Sequence, residues 1–170
     1  MNAKTLSLPL LMLLLAACGK SPQEAATETA IKAATGKDAK VENNGDQSTV
    51  TMQTDQGQMK IQTGAGLTLP ADFPKDVYLP ADYQLQNVLQ MGPVNTVVLT
   101  VNGNAQALVA EITGKMEGQG WKTAMSMQSG DQGSLLTFTQ DKRSAVYTVA
   151  PSPDGKLTVQ VQHTEEKNSP

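Results

Sequence analysis

The chain has 170 residues and a formal net charge of −3 at pH 7, with one cysteine and one histidine. Its length suits one ordinary domain or two small ones, and its mildly acidic charge argues against nucleic-acid binding, which requires a basic surface. A single cysteine rules out an internal disulfide, and one cysteine with one histidine is too few for a zinc site.

The first seventeen residues are typical of a secretory signal. Lys4 precedes an apolar run from Leu6 to Ala17 that ends in small residues. In a helix the twelve residues of this run span about 18 Å, which is too short for the roughly 30 Å of membrane hydrocarbon. We therefore predict that residues 1–17 are a signal peptide and are removed.

The segment Leu15-Ala16-Ala17-Cys18-Gly19 resembles the lipobox of bacterial lipoprotein precursors. The resemblance implies that signal peptidase II cuts before Cys18, that the thiol carries a diacylglyceryl group, and that a third acyl chain such as palmitate follows. Several acyl chains hold a protein on a bilayer far more firmly than one myristoyl chain. Gly19, where some lipoproteins carry Asp, implies the periplasmic face of the outer membrane. The alternative is an unmodified, buried Cys18.

The first predicted element of the mature chain follows a short lipidated tether, residues 18–20. Ser21 and Glu24 have the spacing of a capping box, and Pro22 stands at the first helical position. We predict a helix that runs to about Thr35 and ends at Gly36. Its apolar side is narrow and consists mostly of methyl groups, from Ala26, Ala30, Ile31 and Ala34.

Three short segments with alternating apolar residues come next, separated by turn residues at 43–46 and 55–57. They predict an antiparallel meander whose apolar face is covered by the first helix. Together, the helix and these strands form a predicted module, residues 21–66, that is only marginally stable alone. The alternating pairs are Ala39 and Val41, Val50 and Met52, and Met59 and Ile61.

Residues 67–82 contain prolines at positions 70, 74 and 80. Proline restricts itself and the preceding residue to extended conformations, so this segment predicts a semi-rigid connector between two modules. Asp72, Asp76 and Asp82 offer oxygen atoms to a calcium ion. Their spacing matches neither an EF-hand nor a nonapeptide loop, and we interpret them as turn residues.

The second half, residues 83–163, has the pattern of strands around a single helix. Asn104 is the predicted N-cap of a helix with an apolar stripe, which ends at Gly118 and Gly120. We interpret this half as a ββαβββ domain, a twisted antiparallel sheet with one helix across one face, and residues 164–170 as a disordered tail. The stripe is Ala105, Leu108, Val109, Ile112 and Met116, and the strand segments are 85–91, 97–101, 121–127, 135–139, 145–149 and 157–161.

The helix that closes on Gly120-Trp121 and the strands after it resemble a small α+β domain of uncharacterised proteobacterial lipoproteins and secreted proteins. The segment from Leu69-Pro70 to Val77 strengthens this likeness, which covers residues 67–162, and the family implies no activity. A looser likeness is to the helix-grip domains of lipoprotein subunits in outer-membrane-protein assembly, which are adaptors. The fold class predicted for the whole chain is α+β: a small helix plus three-strand meander, then the ββαβββ domain.

Few side chains indicate chemistry. His163 is predicted at the frayed, solvated end of the last strand, and no Gly-x-Ser-x-Gly elbow supplies a nucleophile. Met125 and Met127 form the one suggestive pair, since thioethers are ligands for Cu(I). Alternate positions on a strand face the same way, so the preferred interpretation is that this pair fills the core. Other methionines that could join a copper site are Met52, Met59, Met91 and Met116, and Trp121 is predicted to be mostly buried.

These observations favour a lipid-anchored, non-enzymatic envelope protein that binds another envelope protein through an exposed sheet face or an unpaired edge strand. For that function we predict attachment to the membrane through acylated Cys18, and no nucleic acid, cofactor, metal or catalytic residue. The alternative is a periplasmic carrier of a small ligand or of Cu(I) that uses methionines.

Overall fold

The computed structural model describes residues 20–129 and 133–166. Helix α1 spans Pro22–Thr35, with Ser21 as its N-cap and Gly36 as its left-handed C-cap. The Ser21 hydroxyl accepts from the Glu24 amide at 3.2 Å, and the Glu24 carboxylate accepts from the Ser21 amide at 2.7 Å. The predicted capping box and helix ends are therefore confirmed. The predicted signal peptide and Cys18 lie outside the described residues.

Three antiparallel strands follow α1: β1 is Ala39–Asn44, β2 is Gln47–Thr54 and β3 is Gly57–Gly64. The predicted meander is confirmed. Gly64 ends β3 with a φ of +116°, and a Cβ atom there would lie 1.9 Å from the carbonyl oxygen of Asp46. Glycine is thus required where the chain leaves the sheet.

Helix α1 lies along the edge of β1, and none of its residues is buried. The Glu28 carboxylate accepts from the Val41 amide at 2.8 Å, and the Glu24 carboxylate accepts from the Asn43 amide at 2.7 Å. The predicted covering of the apolar face by α1 is therefore wrong. Its methyl-sized side chains bury little surface, whereas two glutamates one helical turn apart reach the unpaired amides of the edge strand.

Six strands and one helix make up the rest of the described chain. The six predicted strand segments are confirmed, but the predicted ββαβββ topology has one strand too few, because four strands follow the helix. The last strand also extends through Thr164 and Glu165 of the predicted tail, since Thr164 pairs with Val94 on one side and Ser144 on the other. The elements are β4 Gln84–Met91, β5 Val94–Val101, α2 Ala105–Gly118, β6 Lys122–Gln128, β7 Ser134–Gln140, β8 Arg143–Pro151 and β9 Leu157–Glu165.

All nine strands belong to one antiparallel sheet with the order β1-β2-β3-β4-β5-β9-β8-β7-β6. The predicted α+β fold of two successive modules is therefore wrong. The fold is mostly sheet, with 49% of the described residues in strands and 19% in helices. Its two halves are continuous because β3 pairs with β4, from Met59 opposite Met91 to Thr63 opposite Asn87. The proline-rich segment leaves the sheet and returns to it, which proline content alone does not reveal.

The main core lies between α2 and one face of the sheet. Helix α2 carries the chain from β5 to the far edge, where β6 begins, and β7, β8 and β9 lead back to β5. We call the face under α2, with Leu99, Tyr147 and Val159, the helix face, and the other the opposite face. Trp121 is 2% exposed, so its predicted burial is confirmed. The predicted helix stripe is also confirmed, with Leu108, Val109, Ile112 and Met116 buried.

Candidate functional site

His163 lies on the helix face of β9 and is 3% exposed. Asn95 of β5 and Ala145 of β8 are directly opposite it, and the Trp121 ring meets the imidazole edge-on, with ring centroids 6.3 Å apart. The prediction of a solvated histidine at a frayed strand end is wrong, because β9 stays paired on both sides beyond position 163. Strand alternation then puts His163 on the same face as buried Val161.

The electrostatic environment keeps this imidazole neutral. Burial lowers the pKa of His163, and the positive charge of Arg143 lowers it further, against smaller opposing effects of Glu165 and Asp76. Neither ring nitrogen has a hydrogen-bond partner in the described part of the chain. No described serine or threonine hydroxyl is therefore bonded to the ring, as a catalytic triad would require.

A cleft of about 470 Å³ next to the β4–β5 turn is bordered by His163 and by the carboxylates of Asp72, Glu165 and Glu166. Asp72 already accepts a hydrogen bond from Gln90 Nε2 at 3.1 Å. Across residues 20–129 and 133–166, no three His, Cys, Asp or Glu side chains come together in a way that could hold a metal ion. The cleft is a polar surface feature without an assembled set of ligands.

Asp76 and Arg143 form a bidentate ion pair that ties the connector to β8. Arg143 Nη1 and Nη2 donate to the two Asp76 carboxylate oxygens at 2.9 and 2.6 Å, and this lowers the pKa of Asp76. The guanidinium carbon lies 4.8 Å from the centroid of the Trp121 ring. Trp121 Nε1 in turn donates to the Asp76 backbone carbonyl at 2.8 Å. The cluster is a clamp that holds the connector on the core.

The three aspartates considered as calcium ligands each lie in a turn, as predicted. Both carboxylate oxygens of Asp76 are taken by Arg143. Asp82 adopts a positive φ of 53°, a conformation that aspartate tolerates better than most residues. Asp76 stabilises the connector through its ion pair with Arg143, and among the described residues the three carboxylates do not form a shared metal site.

The sulfur of Met116 is enclosed in the core. The Tyr147 hydroxyl lies 3.2 Å from Met116 Sδ and donates to the Tyr78 backbone carbonyl at 2.8 Å, and the Tyr78 amide donates to the same sulfur at 3.4 Å. Burial raises the pKa of Tyr147, and burial with the Glu111 carboxylate raises the pKa of Tyr78 to about 12. Both phenols are protonated at neutral pH, and Met116 is not accessible to an ion.

Strand β6 forms the last edge of the sheet, and all 7 of its residues are exposed. It pairs with β7 on one side and has no strand partner on the other side within the described residues. Met125 and Met127 are 47% and 55% exposed. Their predicted packing in the core is wrong, because they project from the opposite face at the edge of the sheet, whereas α2 covers the helix face.

No protein-family model, curated protein or solved structure matches this chain. The likeness to bacterial lipoproteins and to the small α+β domain therefore stays a prediction. Among the residues that the structure describes, no helix is long and apolar enough to cross a membrane.

The two edges of the sheet differ in their protection. At the β1 edge, α1 and the carboxylates of Glu24 and Glu28 occupy the amides of Val41 and Asn43. At the β6 edge, the described chain supplies no comparable cover. An edge strand without cover is a template for pairing with another strand. The sequence predicts an unprotected edge, but only the pairing of the strands identifies β6 as the strand that forms it.

Sequence analysis also missed one grouping of side chains. Met52, Met59 and Met91 come from three consecutive strands and lie directly beside one another. From the sequence, each of them is predicted only as a further ligand beside Met125 and Met127. The signal that would have found the group is the pairing register of β2, β3 and β4, which is a property of three segments and not of any one of them.

Proposed function

We propose that this chain is a lipid-anchored, non-enzymatic envelope protein that binds another envelope protein by strand addition at β6. The observation that supports this proposal best is the contrast between the two sheet edges. The β1 amides of Val41 and Asn43 are bound by glutamates of α1, whereas every residue of β6 is exposed. A free edge offers a row of backbone donors and acceptors to an incoming strand.

The sequence of β6 suits this mode of binding. The strand contains no proline and one charged residue, Lys122, so it lacks most of the features that protect natural edges from pairing. A register shift lies between Thr123 and Met125, and such a bulge bends the strand locally. Residues 125–128 after it therefore form the regular part of the edge. Met125 and Met127 add flexible apolar side chains that adapt to a partner.

The lipid anchor is part of the proposal and rests on the sequence around Cys18. Gly19 and Lys20 alone separate Cys18 from Ser21, so the N-cap of α1 lies within about 10 Å of the acylated residue at about 3.5 Å per residue. Strand β6 is eight strand spacings from β1, or about 38 Å at about 4.8 Å per spacing. Helix α1, which follows Cys18 closely in the sequence, lies at the β1 edge, so the proposed anchor would leave β6 free to reach a partner at the other end of the sheet.

The environment of His163 supports a non-enzymatic function. Its imidazole is buried and has no hydrogen-bond partner among the described residues. General-base catalysis requires a base within hydrogen-bond reach of the proton that it removes. The clamp of Asp76, Arg143 and Trp121 beside it satisfies its own polar groups and holds the connector.

Site-specific photo-crosslinking in intact cells tests binding through β6. A photoreactive amino acid is placed at Ser126, in the regular part of β6, and as a matched control at exposed Ala33 of α1. We expect a specific crosslinked product from position 126 and none from position 33. Adding Met125→Lys and Met127→Lys should abolish the product, because charged side chains on an edge oppose pairing.

Equal crosslinking from both positions, or a product that persists with both lysines in place, would contradict binding through β6.

The anchor is tested separately by mass spectrometry of the protein from its native membrane. We expect a mature chain that begins at Cys18 with a diacylglyceryl thioether. A free thiol or retained residues 1–17 would contradict the anchor and leave the crosslinking result unaffected.

A further inference from the structure

Three methionines lie side by side across the opposite face of the sheet. Met52 of β2 is directly opposite Met59 of β3, and Met59 is directly opposite Met91 of β4. Directly opposed residues of antiparallel strands point to the same face, with Cβ atoms about 4.5–5.5 Å apart. We name these three residues the methionine row. We propose that the methionine row binds a soft monovalent metal ion, Cu(I) or its analogue Ag(I).

The spacing of the row allows all three sulfur atoms to reach one ion. The outer Cβ atoms lie about 5 Å to either side of the central one, as cross-strand neighbours do. A methionine side chain is unbranched and has three rotatable bonds, so the outer sulfurs of Met52 and Met91 can incline toward an ion above Met59. Thioether ligands select Cu(I), whereas calcium and magnesium require oxygen ligands. The composition of the row therefore points to a soft ion.

The surroundings of the row suit an ion of low charge bound by neutral ligands. All three methionines are partly exposed, so an ion can reach them without unfolding of the sheet. The adjacent cross-strand row is apolar, with Val50 opposite Ile61 and Ile61 opposite Leu89, and an apolar border controls solvent access to a metal site. On the other side of the row, the next cross-strand pair on the same face is Thr54 and Gly57. The Thr54 hydroxyl donates to the Gly57 carbonyl at 2.7 Å, so this hydroxyl is already hydrogen-bonded within the β2–β3 turn.

The remaining described methionines form no comparable group. Met125 and Met127 share a face of β6, but their cross-strand partners are Thr137 and Leu135, so that site offers two sulfur atoms. The Met116 sulfur is enclosed in the core. The pair that is conspicuous in the sequence is therefore the weaker candidate, and the row formed by strand pairing is the stronger one.

The metal site and the proposed protein-binding edge are independent. Met91 is the member of the row nearest to β6. Its strand, β4, is five strand spacings from β6, or about 24 Å along the sheet at about 4.8 Å per spacing. Loss of either function by mutation should leave the other intact.

Competition titration tests the proposal. The mature, acylated protein, residues 18–170, is purified from membranes in detergent and titrated anaerobically with Cu(I) in the presence of a chromophoric Cu(I) chelator. We expect one ion per chain, and we expect the combined Met52→Leu, Met59→Leu and Met91→Leu variant to bind at least about 100-fold more weakly, since outer-shell changes alone cost 10–100-fold in known sites. Leucine approximates the volume of methionine, so the fold should be retained, and circular dichroism checks this.

The matched control is the Met125→Leu, Met127→Leu variant, which should bind Cu(I) like the wild type. A second measurement uses Ag(I) and methionine labelled with carbon-13 at the methyl group. We expect the three signals of the row to shift and those of Met116, Met125 and Met127 to stay in place. Wild-type affinity no higher than that of the triple variant, or shifts at Met125 and Met127 instead, would overturn the proposal and leave the row as an apolar surface only.

Discussion

His163 makes the stability of the fold depend on pH. Its imidazole is buried without a hydrogen-bond partner among the described residues, and burial lowers its pKa below the ordinary value of about 6.5. The unfolded chain therefore binds a proton more readily than the folded one. The contribution of this residue to stability is complete above about pH 6.5 and is lost as the pH falls from there toward the folded-state pKa.

We expect His163→Leu to remove this dependence. The free energy of unfolding, measured with urea at pH 7, 6 and 5, should fall for the wild type with a slope of at most about 1.4 kcal/mol per pH unit. The variant should show no such decrease over this range. Gln162→Leu, on the neighbouring residue and the opposite face, is the matched control and should keep the wild-type slope. Equal slopes for wild type and His163→Leu would contradict the assignment.

Residue roles could be predicted from the sequence where neighbours in the chain determine them. Ser21, Glu24 and Gly36 cap α1 as predicted, because capping involves residues within one turn. The environments of His163 and Met125 were predicted wrongly because distant strands determine them. Nothing near position 163 in the sequence indicates that β5 and β8 both continue past it.

At the scale of elements, helix α1 serves as a cover for the β1 edge. The pKa of Glu24 is lowered chiefly by its hydrogen bond from the Asn43 amide. The pKa of Glu28 is lowered by the Lys20 ammonium and by the Val41 amide. Both carboxylates are ionised at neutral pH and accept charge-assisted hydrogen bonds from the strand. Helix α1 thus blocks strand addition at the β1 edge, and β6 is the edge that stays open.

Glu28→Ala should expose the Val41 amide to solvent. We expect its hydrogen exchange to become several-fold faster, because the amide loses its acceptor, while the amide of Glu42 stays slow. Alternating amides of an edge strand point outward and inward, so Glu42 is the internal reference. Glu42→Ala, which removes a surface partner of Lys40, is the control variant and should leave Val41 slow. Unchanged exchange at Val41 in Glu28→Ala would show that α1 does not protect this edge.

The strands themselves could be predicted from alternation, but their partners could not. Each of β1 to β9 falls on a segment with alternating apolar residues. The alternation gives the face of each residue and leaves the pairing register open. The methionine row and the β3–β4 junction both depend on that register. The connector shows why: residues 67–82 look like a boundary, yet the strands on either side of them pair.

At the scale of the whole molecule, one continuous sheet combines two kinds of packing. Strands β4, β5, β7, β8 and β9 share a core with α2 and the connector, whereas β6 is exposed along its whole length. In β1 to β3, Val41 is the one fully buried apolar residue, and it lies outside that core. Backbone pairing joins the two parts, but apolar burial, which dominates folding free energy, is concentrated in one of them. Local opening should therefore require less free energy in β1 to β3.

Hydrogen exchange should divide the sheet into these two parts. We expect amides of Val50 and Ile61 to exchange faster than those of Val97 and Val159, whose side chains are fully buried. Uniform protection would contradict the division and indicate one cooperative unit.

An ion that binds only the folded state adds about 2.7 kcal/mol of stability at a free concentration 100 times its dissociation constant. Ag(I) bound at the methionine row should therefore slow exchange in β2 to β4 and leave β7 and β8 unchanged, and the triple leucine variant should lose that effect.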